Sequence, residues 1–296
     1  MHKSVLITET IEGLALKKGD VVVDGTAGSG GHSFQIAKEL DGNVKLYLFD
    51  MDEDALIRAE EKLKDTGAIT EYVHSNFKDI KARLGKLSVT AIDKALFDLG
   101  LSSPQLDTSG RGFSFLRDEP LYMTMARDIT PETLTAMDVV NTWGEENLAD
   151  IIYGFGEERY SRRIAKAIVD MRMRKKIEST FQLVEAIKNA VPKSYLHGKI
   201  HPATKTFQAI RMAVNNELPS ITQGVTDALE MLTKGGRCAV ITFHSLEDRI
   251  IKNVFRDKAK EGTYILVTKK PIIPSKEETK ENPRARSAKL RIIEKI

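Results

Sequence analysis

The first hundred residues alternate short apolar runs with segments whose apolar residues recur at helical spacing. The strand-like runs are Val21–Asp24, Val44–Phe49, Tyr72–His74 and Ala95–Asp98. Between them, segments such as Ser33–Leu40 and Asp54–Leu63 carry apolar residues three and four positions apart, which is typical of amphipathic helices. Strands separated by helices of this length predict βαβ units and a parallel sheet.

This alternation stops after residue 106. The following stretch predicts a glycine-rich loop and then four helices without a convincing strand, at Pro131–Asn141, Glu145–Tyr153, Glu157–Met173 and Thr180–Ala190. The alternation then resumes, with a helix, a strand, a helix and two strands predicted at Thr204–Leu232, Arg237–Phe243, Ser245–Arg256, Tyr264–Val267 and Leu290–Ile293. We therefore expect an α/β domain formed by residues 1–106 and 204–296, interrupted by an all-helical insertion at residues 107–203.

The composition is that of an ordinary globular protein. The chain has 296 residues, of which 45 are basic and 42 acidic, giving a formal charge of +3. Its single cysteine, Cys238, excludes an intramolecular disulfide, and no Cys/His cluster has zinc-finger spacing. The apolar runs are far shorter than the roughly 20 residues that span a bilayer, and no apolar signal segment follows Met1. We therefore expect a cytoplasmic protein without a membrane partner or a metal.

The small net charge conceals basic segments. Ser161–Lys176 holds seven basic residues and one acidic residue, and Lys269–Ile296 holds nine basic and four acidic residues. Such segments suit a polyanion such as nucleic acid. Solvated helix faces explain them equally well at this point.

A glycine-rich turn, Asp24–His32, follows the first strand and precedes a helix, where α/β sheets bind nucleotide-like ligands. It is not a phosphate-binding P-loop, because Gly31 stands at the lysine position. Asp50 ends the second strand about 20 residues further on, where a carboxylate can accept hydrogen bonds from ribose hydroxyls. Phe77 follows the third strand and could cover an adenine. Both S-adenosylmethionine and NAD fit this pattern.

The segment Asp98–Gln105 follows the fourth strand and supplies a carboxylate, the Ser102 and Ser103 hydroxyls and a turn stiffened by proline. The exocyclic amine of a base is a poor nucleophile, so its methylation needs acceptors that hold it in line with the methyl donor. Asp98 and Ser102 are therefore candidate catalytic residues. No proton-relay pair of a dehydrogenase is recognisable, yet an NAD-dependent oxidoreductase stays open as the alternative.

Several ordered motifs together resemble the RsmH (MraW) family of S-adenosylmethionine-dependent 16S rRNA (cytosine-N4) methyltransferases, over nearly the whole chain. The motifs are Asp24–Thr26, Gly30–Ser33, Asp98–Gly100, Ser102–Asp107, Arg111–Phe115, Tyr153 with Gly156–Arg159, Lys205–Arg211, Phe243–Arg249 and Glu281–Ser287. The resemblance implies an α/β class I methyltransferase (Rossmann-like) fold with an inserted helical domain for substrate recognition. It also implies that S-adenosylmethionine is held by Gly30, Gly31, His32, Asp50, Phe77, Asp98 and Gln105.

The same resemblance implies a substrate and a partner. The substrate would be the N4 amine of a cytosine in the decoding centre, near the P site, and the partner 16S rRNA within the small ribosomal subunit. Whether the protein is a monomer or a homodimer is left open.

One segment departs from the family pattern. Where the family usually carries Asp-Met-Arg-Met-Asp, this chain has Tyr122–Ala126 and lacks three charged side chains. An RNA-binding or ribosome-binding protein that has lost turnover is therefore a third possibility.

Overall fold

The computed structural model describes residues 4–100, 109–126, 129–198 and 200–296. The chain divides into two compact units, one formed by residues 1–100 and 218–296 and the other by residues 101–217. The domain boundaries expected after residues 106 and 203 remain predictions. The helix Thr204–Val214, which the sequence analysis assigned to the α/β domain, lies in the second unit. No helix in the described ranges is both long and apolar enough to cross a membrane.

The unit formed by residues 1–100 and 218–296 is an α/β domain. Its strands are β1 (Val21–Asp24), β2 (Lys45–Asp50), β3 (Ile69–His74), β4 (Ile92–Asp98), β5 (Leu232–Thr242), β6 (Tyr264–Leu266) and β7 (Lys289–Lys295). In its first half the helices are α1 (Ile7–Leu14), α2 (Gly31–Glu39), α3 (Glu53–Leu63) and α4 (Ile80–Lys86), with a 3₁₀ turn at Phe77–Asp79.

The seven strands form one sheet in the order β3-β2-β1-β4-β5-β7-β6. Strands β1 to β5 run parallel to one another, whereas β7 runs antiparallel to both β5 and β6. The predicted parallel sheet and class I methyltransferase fold are confirmed. Strand order reverses between β1 and β4, so the carboxyl ends of these strands border the crevice where such sheets bind ligands.

Both faces of the sheet are covered, which explains the apolar strand sequences. Val22 and Leu96 point into one buried cluster, which includes Ile36 of α2, while Val23 and Phe97 point into a second cluster on the other face. Successive side chains of a strand alternate between faces, so this division follows from the sequence of β1 and β4. Asp24 and Asp98, which end β1 and β4, lie at the carboxyl edge of the sheet.

The unit formed by residues 101–217 contains helices and no strand in its described part. Its helices are α5 (Ala136–Thr142), α6 (Glu145–Gly154), α7 (Ser161–Arg172), α8 (Thr180–Ala190), α9 (Lys193–Leu196) and α10 (Thr204–Val214). It has a separate apolar core, in which Ile152, Ile164, Ile168 and Leu183 are fully buried. Helix α11 (Glu217–Met231) begins at the unit boundary, and α12 (Ser245–Lys260) and α13 (Lys276–Glu281) follow in the α/β unit.

Several predicted helices differ from the structure. The helix predicted over Glu157–Met173 begins only at Ser161, and the one predicted over Ser245–Arg256 extends to Lys260. The helix predicted over Pro131–Asn141 begins only at Ala136, because Thr135 caps it and Asp138 closes a capping box. The single helix predicted over Thr204–Leu232 is broken into α10 and α11, where Asn216 adopts a φ of 49°. A left-handed residue cannot continue an α-helix, and hydrophobic spacing alone does not reveal it.

Candidate functional site

Three aspartates end neighbouring strands at the carboxyl edge of the sheet. Asp24 ends β1, Asp50 ends β2 and Asp98 ends β4. Because β1 lies between β2 and β4, the three carboxyl groups border one crevice at the point where the strand order reverses. Sequence reasoning predicted this placement for Asp50 and Asp98.

Asp24 anchors the glycine-rich turn. Its Oδ2 accepts a hydrogen bond from the Ser33 hydroxyl at 2.6 Å, and its Oδ1 accepts one from the Thr26 N–H at 3.1 Å. The side chain is buried, and the loss of solvent raises its pKa to about 6 despite these two donors. Asp24 therefore shapes the turn.

Asp50 holds the opposite side of the same turn. Its two carboxylate oxygens accept the N–H groups of Gly28 at 2.8 Å and of Asp52 at 2.9 Å. Burial raises the pKa of Asp50, and the backbone donors oppose that shift. A carboxylate accepts about four hydrogen bonds, so it retains the capacity to bind ribose hydroxyls.

The glycines of the turn differ in what they contact. A Cβ at Gly30 would lie 3.1 Å from Ala59, and one at Gly31 only 2.0 Å from the Ser4 hydroxyl oxygen. Gly28 has a φ of 51°, and among the described residues a Cβ there would meet only the Thr26 carbonyl oxygen, at 4.0 Å. The roles of Gly30 and Gly31 in cofactor binding remain predictions, and Gly28 is an additional candidate.

Asp98 has one buried oxygen without a hydrogen-bond donor among the described residues, Oδ1. Its backbone N–H donates to the Thr26 hydroxyl at 2.6 Å, which ties the end of β4 to the turn. Burial, followed by the negative charges of Asp24 and Glu247, raises the pKa of Asp98 to about 8. A buried acceptor without a donor is costly unless a ligand supplies one, so this oxygen marks a binding position.

His32 lies beside Asp98 on the first turn of α2. Its Nε2 is 3.0 Å from the carbonyl oxygen of Val5, and its ring is almost fully buried. This contact fixes the N-terminal segment against α2. The predicted contact of His32 with the cofactor is not tested by these distances.

Phe77 forms part of a tightly packed aromatic wall. Its half-buried ring packs edge-on against Phe97, with the ring centroids 5.6 Å apart. A Cβ at Gly25 would lie 2.4 Å from the Phe97 ring, and one at Gly224 would lie 2.5 Å from Phe77. The two glycines therefore leave room for the rings, and Phe77 is positioned by packing on both sides.

The charge of the crevice favours a cationic ligand. Within the described part of the α/β unit, none of Asp24, Asp50 and Asp98 forms an ion pair with a lysine or arginine. A sulfonium-bearing ligand fits such a crevice, because its charge would stabilise the ionised carboxylates. The pyrophosphate of a dinucleotide is negatively charged and would be repelled by these carboxylates. It would bind at the start of α2, and Ser4, which approaches Gly31 closely, covers that position.

Two candidate residues, Ser102 and Gln105, lie outside the described residues. His244, which belongs to the family motif Phe243–Arg249, is the N-cap of α12 and forms a capping box with Glu247. The role of Thr26, whose hydroxyl joins the turn to β4, was not predicted from the sequence. The feature of the sequence that indicates this role is the position of Thr26, two residues after Asp24, the carboxylate that ends β1.

The segment that departs from the family pattern is ordered by backbone contacts within its own unit. The Asn215 side chain accepts from the Met125 N–H at 2.8 Å and donates to the Met123 carbonyl at 2.7 Å. The Arg111 guanidinium donates to the carbonyls of Met125 and Ala126 at 3.1 Å. Because these bonds involve main-chain groups, they do not depend on the charged side chains that the segment lacks.

Comparison with known proteins supports the family resemblance. The model of the MraW methylase family matches residues 1–296. Ribosomal RNA small subunit methyltransferase H of Clostridioides difficile is 47% identical, and the alignment covers 100% of this chain and 99% of that protein. The protein of the same name from Brevibacillus brevis is 44% identical, with 100% and 98% covered.

Among solved structures, an rRNA methylase from Streptococcus thermophilus aligns with 100% of this chain and 99% of its own, at 14% identity and a TM-score of 0.47. The family match extends over the whole chain, including the unit of residues 101–217 and the Tyr122–Ala126 segment. This chain belongs to the MraW methylase family and is an S-adenosylmethionine-dependent methyltransferase.

Proposed function

We propose that this protein transfers a methyl group from S-adenosylmethionine to the exocyclic N4 amine of a P-site cytosine in 16S rRNA of the small ribosomal subunit. The names of the two relatives support a small-subunit rRNA substrate. Small subunits are assembled in the cytoplasm, so the proposal places the protein there.

One observation supports an amine as the group that is methylated. Oδ1 of Asp98 is buried and has no hydrogen-bond donor among the described residues. An exocyclic amine carries two N–H groups, and one of them can satisfy this oxygen. The hydrogen bond draws electron density toward the amine nitrogen and fixes its orientation. Ser102 is proposed as a second acceptor on the turn that follows.

Residues of the glycine-rich turn would hold the methyl donor. We assign Asp50 to the ribose hydroxyls, Phe77 to the adenine face, and the backbone at Gly28 and Gly30 to the close approach of the ligand. The predicted contacts of Gly31, His32 and Gln105 belong to the same proposal. When bound, the donor supplies an electrophilic methyl group attached to a positively charged sulfur.

The reaction is a direct displacement. The nitrogen lone pair forms the new N–C bond while the C–S bond breaks, and its electron pair stays on sulfur. The methylated amine then loses one proton to Asp98. The sulfur loses its positive charge when the methyl group is transferred. It then no longer lowers the pKa of Asp98, which makes this carboxylate a better proton acceptor. The pKa then returns toward the value of about 8 set by burial.

Methyl transfer to isolated small ribosomal subunits tests this proposal. Wild-type protein should transfer labelled methyl groups from S-adenosylmethionine, and Asp98→Asn should lower kcat by about a hundredfold or more. Asp41→Asn is the matched control, because Asp41 is exposed and pairs with Lys18 away from the crevice. Equal activity of the two variants would contradict the role of Asp98.

The two alternatives give different results in the same assay. A protein that binds RNA without turnover would bind small subunits and transfer no methyl group. An NAD-dependent oxidoreductase would bind NAD in titration calorimetry and would not bind S-adenosylmethionine. The three carboxyl groups of the crevice, none of which pairs with a lysine or arginine among the described residues, favour the cationic ligand over the pyrophosphate.

A further inference from the structure

A cleft of about 310 Å³ lies in the unit of residues 101–217, between α6 and the start of α7. Six of the side chains that line it carry the argument, namely Asp150, Tyr153, Arg159, Tyr160, Arg162 and Arg163. All belong to this one unit, and none takes part in the methyl-transfer site proposed above.

The cleft is positively charged. Three arginines face one carboxylate, Asp150, and no ion pair neutralises any of the three guanidinium groups within the described residues. Arg162 and Arg163 stand in the first turn of α7, which has no acidic residue. Positive charges there oppose the helix dipole, so the arrangement costs stability unless an anion binds.

Aromatic rings accompany these charges. Tyr153 lines the cleft and is 67% exposed. The Arg159 guanidinium stacks near two rings, 4.8 Å from the centroid of Tyr160 and 5.2 Å from that of Tyr195. Arginine with exposed aromatic rings is the combination that proteins use to hold a phosphate and an unstacked base together.

The wall of the cleft is rigid. Glu158 is fully buried and accepts hydrogen bonds from the Tyr160 N–H and the Tyr195 hydroxyl. A Cβ at Gly156 would lie 2.6 Å from the carbonyl oxygens of Ile152 and Lys205, so the turn before Glu158 is closely packed. The rings beneath Arg159 are thus positioned by buried contacts, which limits the entropy lost on binding.

We propose that this cleft binds one unpaired nucleotide of single-stranded RNA, with the phosphate on Arg162 and Arg163 and the base stacked on Tyr153. The proposal rests on the proposed function in that the RNA is the methylation substrate, and it adds a contact beyond the reacting base. A paired nucleotide does not fit, because its base is stacked within the duplex and cannot cover Tyr153.

Fluorescence anisotropy with a labelled short oligouridylate, and with an RNA duplex of equal length, tests the cleft in the full-length protein. Tyr153→Ala and Arg163→Glu should each weaken single-strand binding by about tenfold, and Tyr153→Ala should also abolish the preference over duplex. Both side chains are exposed, so thermal unfolding should show an unchanged Tm for these variants.

Matched controls lie in the same unit. Lys166→Glu reverses a charge on α7 outside the cleft, where Lys166 pairs with Asp170 at 3.2 Å. Phe181→Ala removes an aromatic ring that is 48% exposed on α8. Each control should change the affinity by less than about threefold, because surface charges act weakly at a distance in physiological salt.

Equal weakening by the cleft variants and the controls would overturn the proposal, since binding would then be diffuse. Displacement of the RNA by poly-L-glutamate as effectively as by unlabelled oligouridylate would also overturn it, by indicating an acidic protein partner.

Methyl transfer is measured in a separate assay. Tyr153→Ala should raise KM for small subunits and leave kcat unchanged. Oligouridylate binding by a protein without methyl transfer would contradict the proposed function alone.

Discussion

Nδ1 of His32 and Oδ2 of Asp98 lie 3.6 Å apart, which is longer than a hydrogen bond. The other ring nitrogen of His32 lies 3.0 Å from the carbonyl of Val5, which can only accept, so Nε2 carries a proton. The pKa of Asp98 is raised to about 8 by burial and by the neighbouring carboxylates. The proposed catalytic carboxyl is therefore mostly protonated at neutral pH before a ligand binds.

We predict that binding of S-adenosylmethionine releases a proton near neutral pH. The positive sulfur favours the ionised form of Asp98 and lowers its pKa, whereas S-adenosylhomocysteine lacks this charge and should release less. Titration calorimetry in two buffers of different ionisation enthalpy measures the number of protons. Asp98→Asn should remove the difference between the two ligands in the number of protons released. Binding heats of the wild type that do not depend on the buffer would contradict the prediction.

We also predict that Asp98→Asn stabilises the protein in alkaline solution. Unfolded Asp98 titrates near 3.8 and folded Asp98 near 8, so between these values the folded state holds a proton that the unfolded state has lost. The free energy of unfolding therefore falls as the pH rises through this window and is constant above it. The Tm of the variant should exceed that of the wild type by about 2 °C or more above pH 8, with little difference near pH 4. A lower Tm for the variant at alkaline pH would argue against the burial of this carboxyl.

Asp24→Asn should shift the pH dependence of methyl transfer. Removal of this negative charge lowers the pKa of Asp98, because Asp24 is one of the groups that raise it. The acid limb of kcat/KM reports the free enzyme and should move to lower pH. The amide keeps an acceptor for the Thr26 N–H, so the turn should remain intact. The exposed Asp41→Asn variant should leave the pH profile unchanged. If the acid limb of kcat/KM does not move in Asp24→Asn, the charge of Asp24 does not influence the pKa of Asp98, and the prediction is wrong.

Gly25→Ala should damage both stability and cofactor binding. The new methyl group would lie 2.4 Å from the Phe97 ring, which must then move against Phe77. We expect a loss of about 1–3 kcal/mol in the free energy of unfolding, measured by urea denaturation, and weaker binding of S-adenosylmethionine. Gly85→Ala in α4 is the control, since its Cβ would meet no described residue within 4 Å. Unchanged cofactor affinity in a destabilised Gly25→Ala protein would remove Phe77 from the binding site.

The sequence was sufficient to predict the site residues that lie at the ends of strands. Asp50 and Asp98 each close an apolar run, and because parallel strands run in the same direction, their carboxyl ends lie at one edge of the sheet. The glycine-rich turn was recognisable because glycines between a strand and a helix serve close backbone approach. The charge state of Asp98 was not predictable, because it depends on burial and on Asp24 and Glu247, which are distant in sequence.

The sequence was less informative where tertiary contacts decide. The close approach of Ser4 to Gly31 involves the N-terminal segment, whose position no local pattern reveals. The break at Asn216 depends on one left-handed residue within a continuous apolar periodicity. The arginines of α7 were recognised as a basic segment, but their place beside Tyr153 follows from the packing of α6 on α7.

Identification of the methylated nucleoside tests the central claim most directly. Small ribosomal subunits lacking the modification should be incubated with the protein and S-adenosylmethionine, and the digested 16S rRNA analysed by mass spectrometry against synthetic standards. Our account predicts one N4-methylated cytidine, derived from the P-site region and absent with Asp98→Asn. A methyl group on a ring carbon or a ribose oxygen would contradict it, because an amine would then not be the group that binds Asp98.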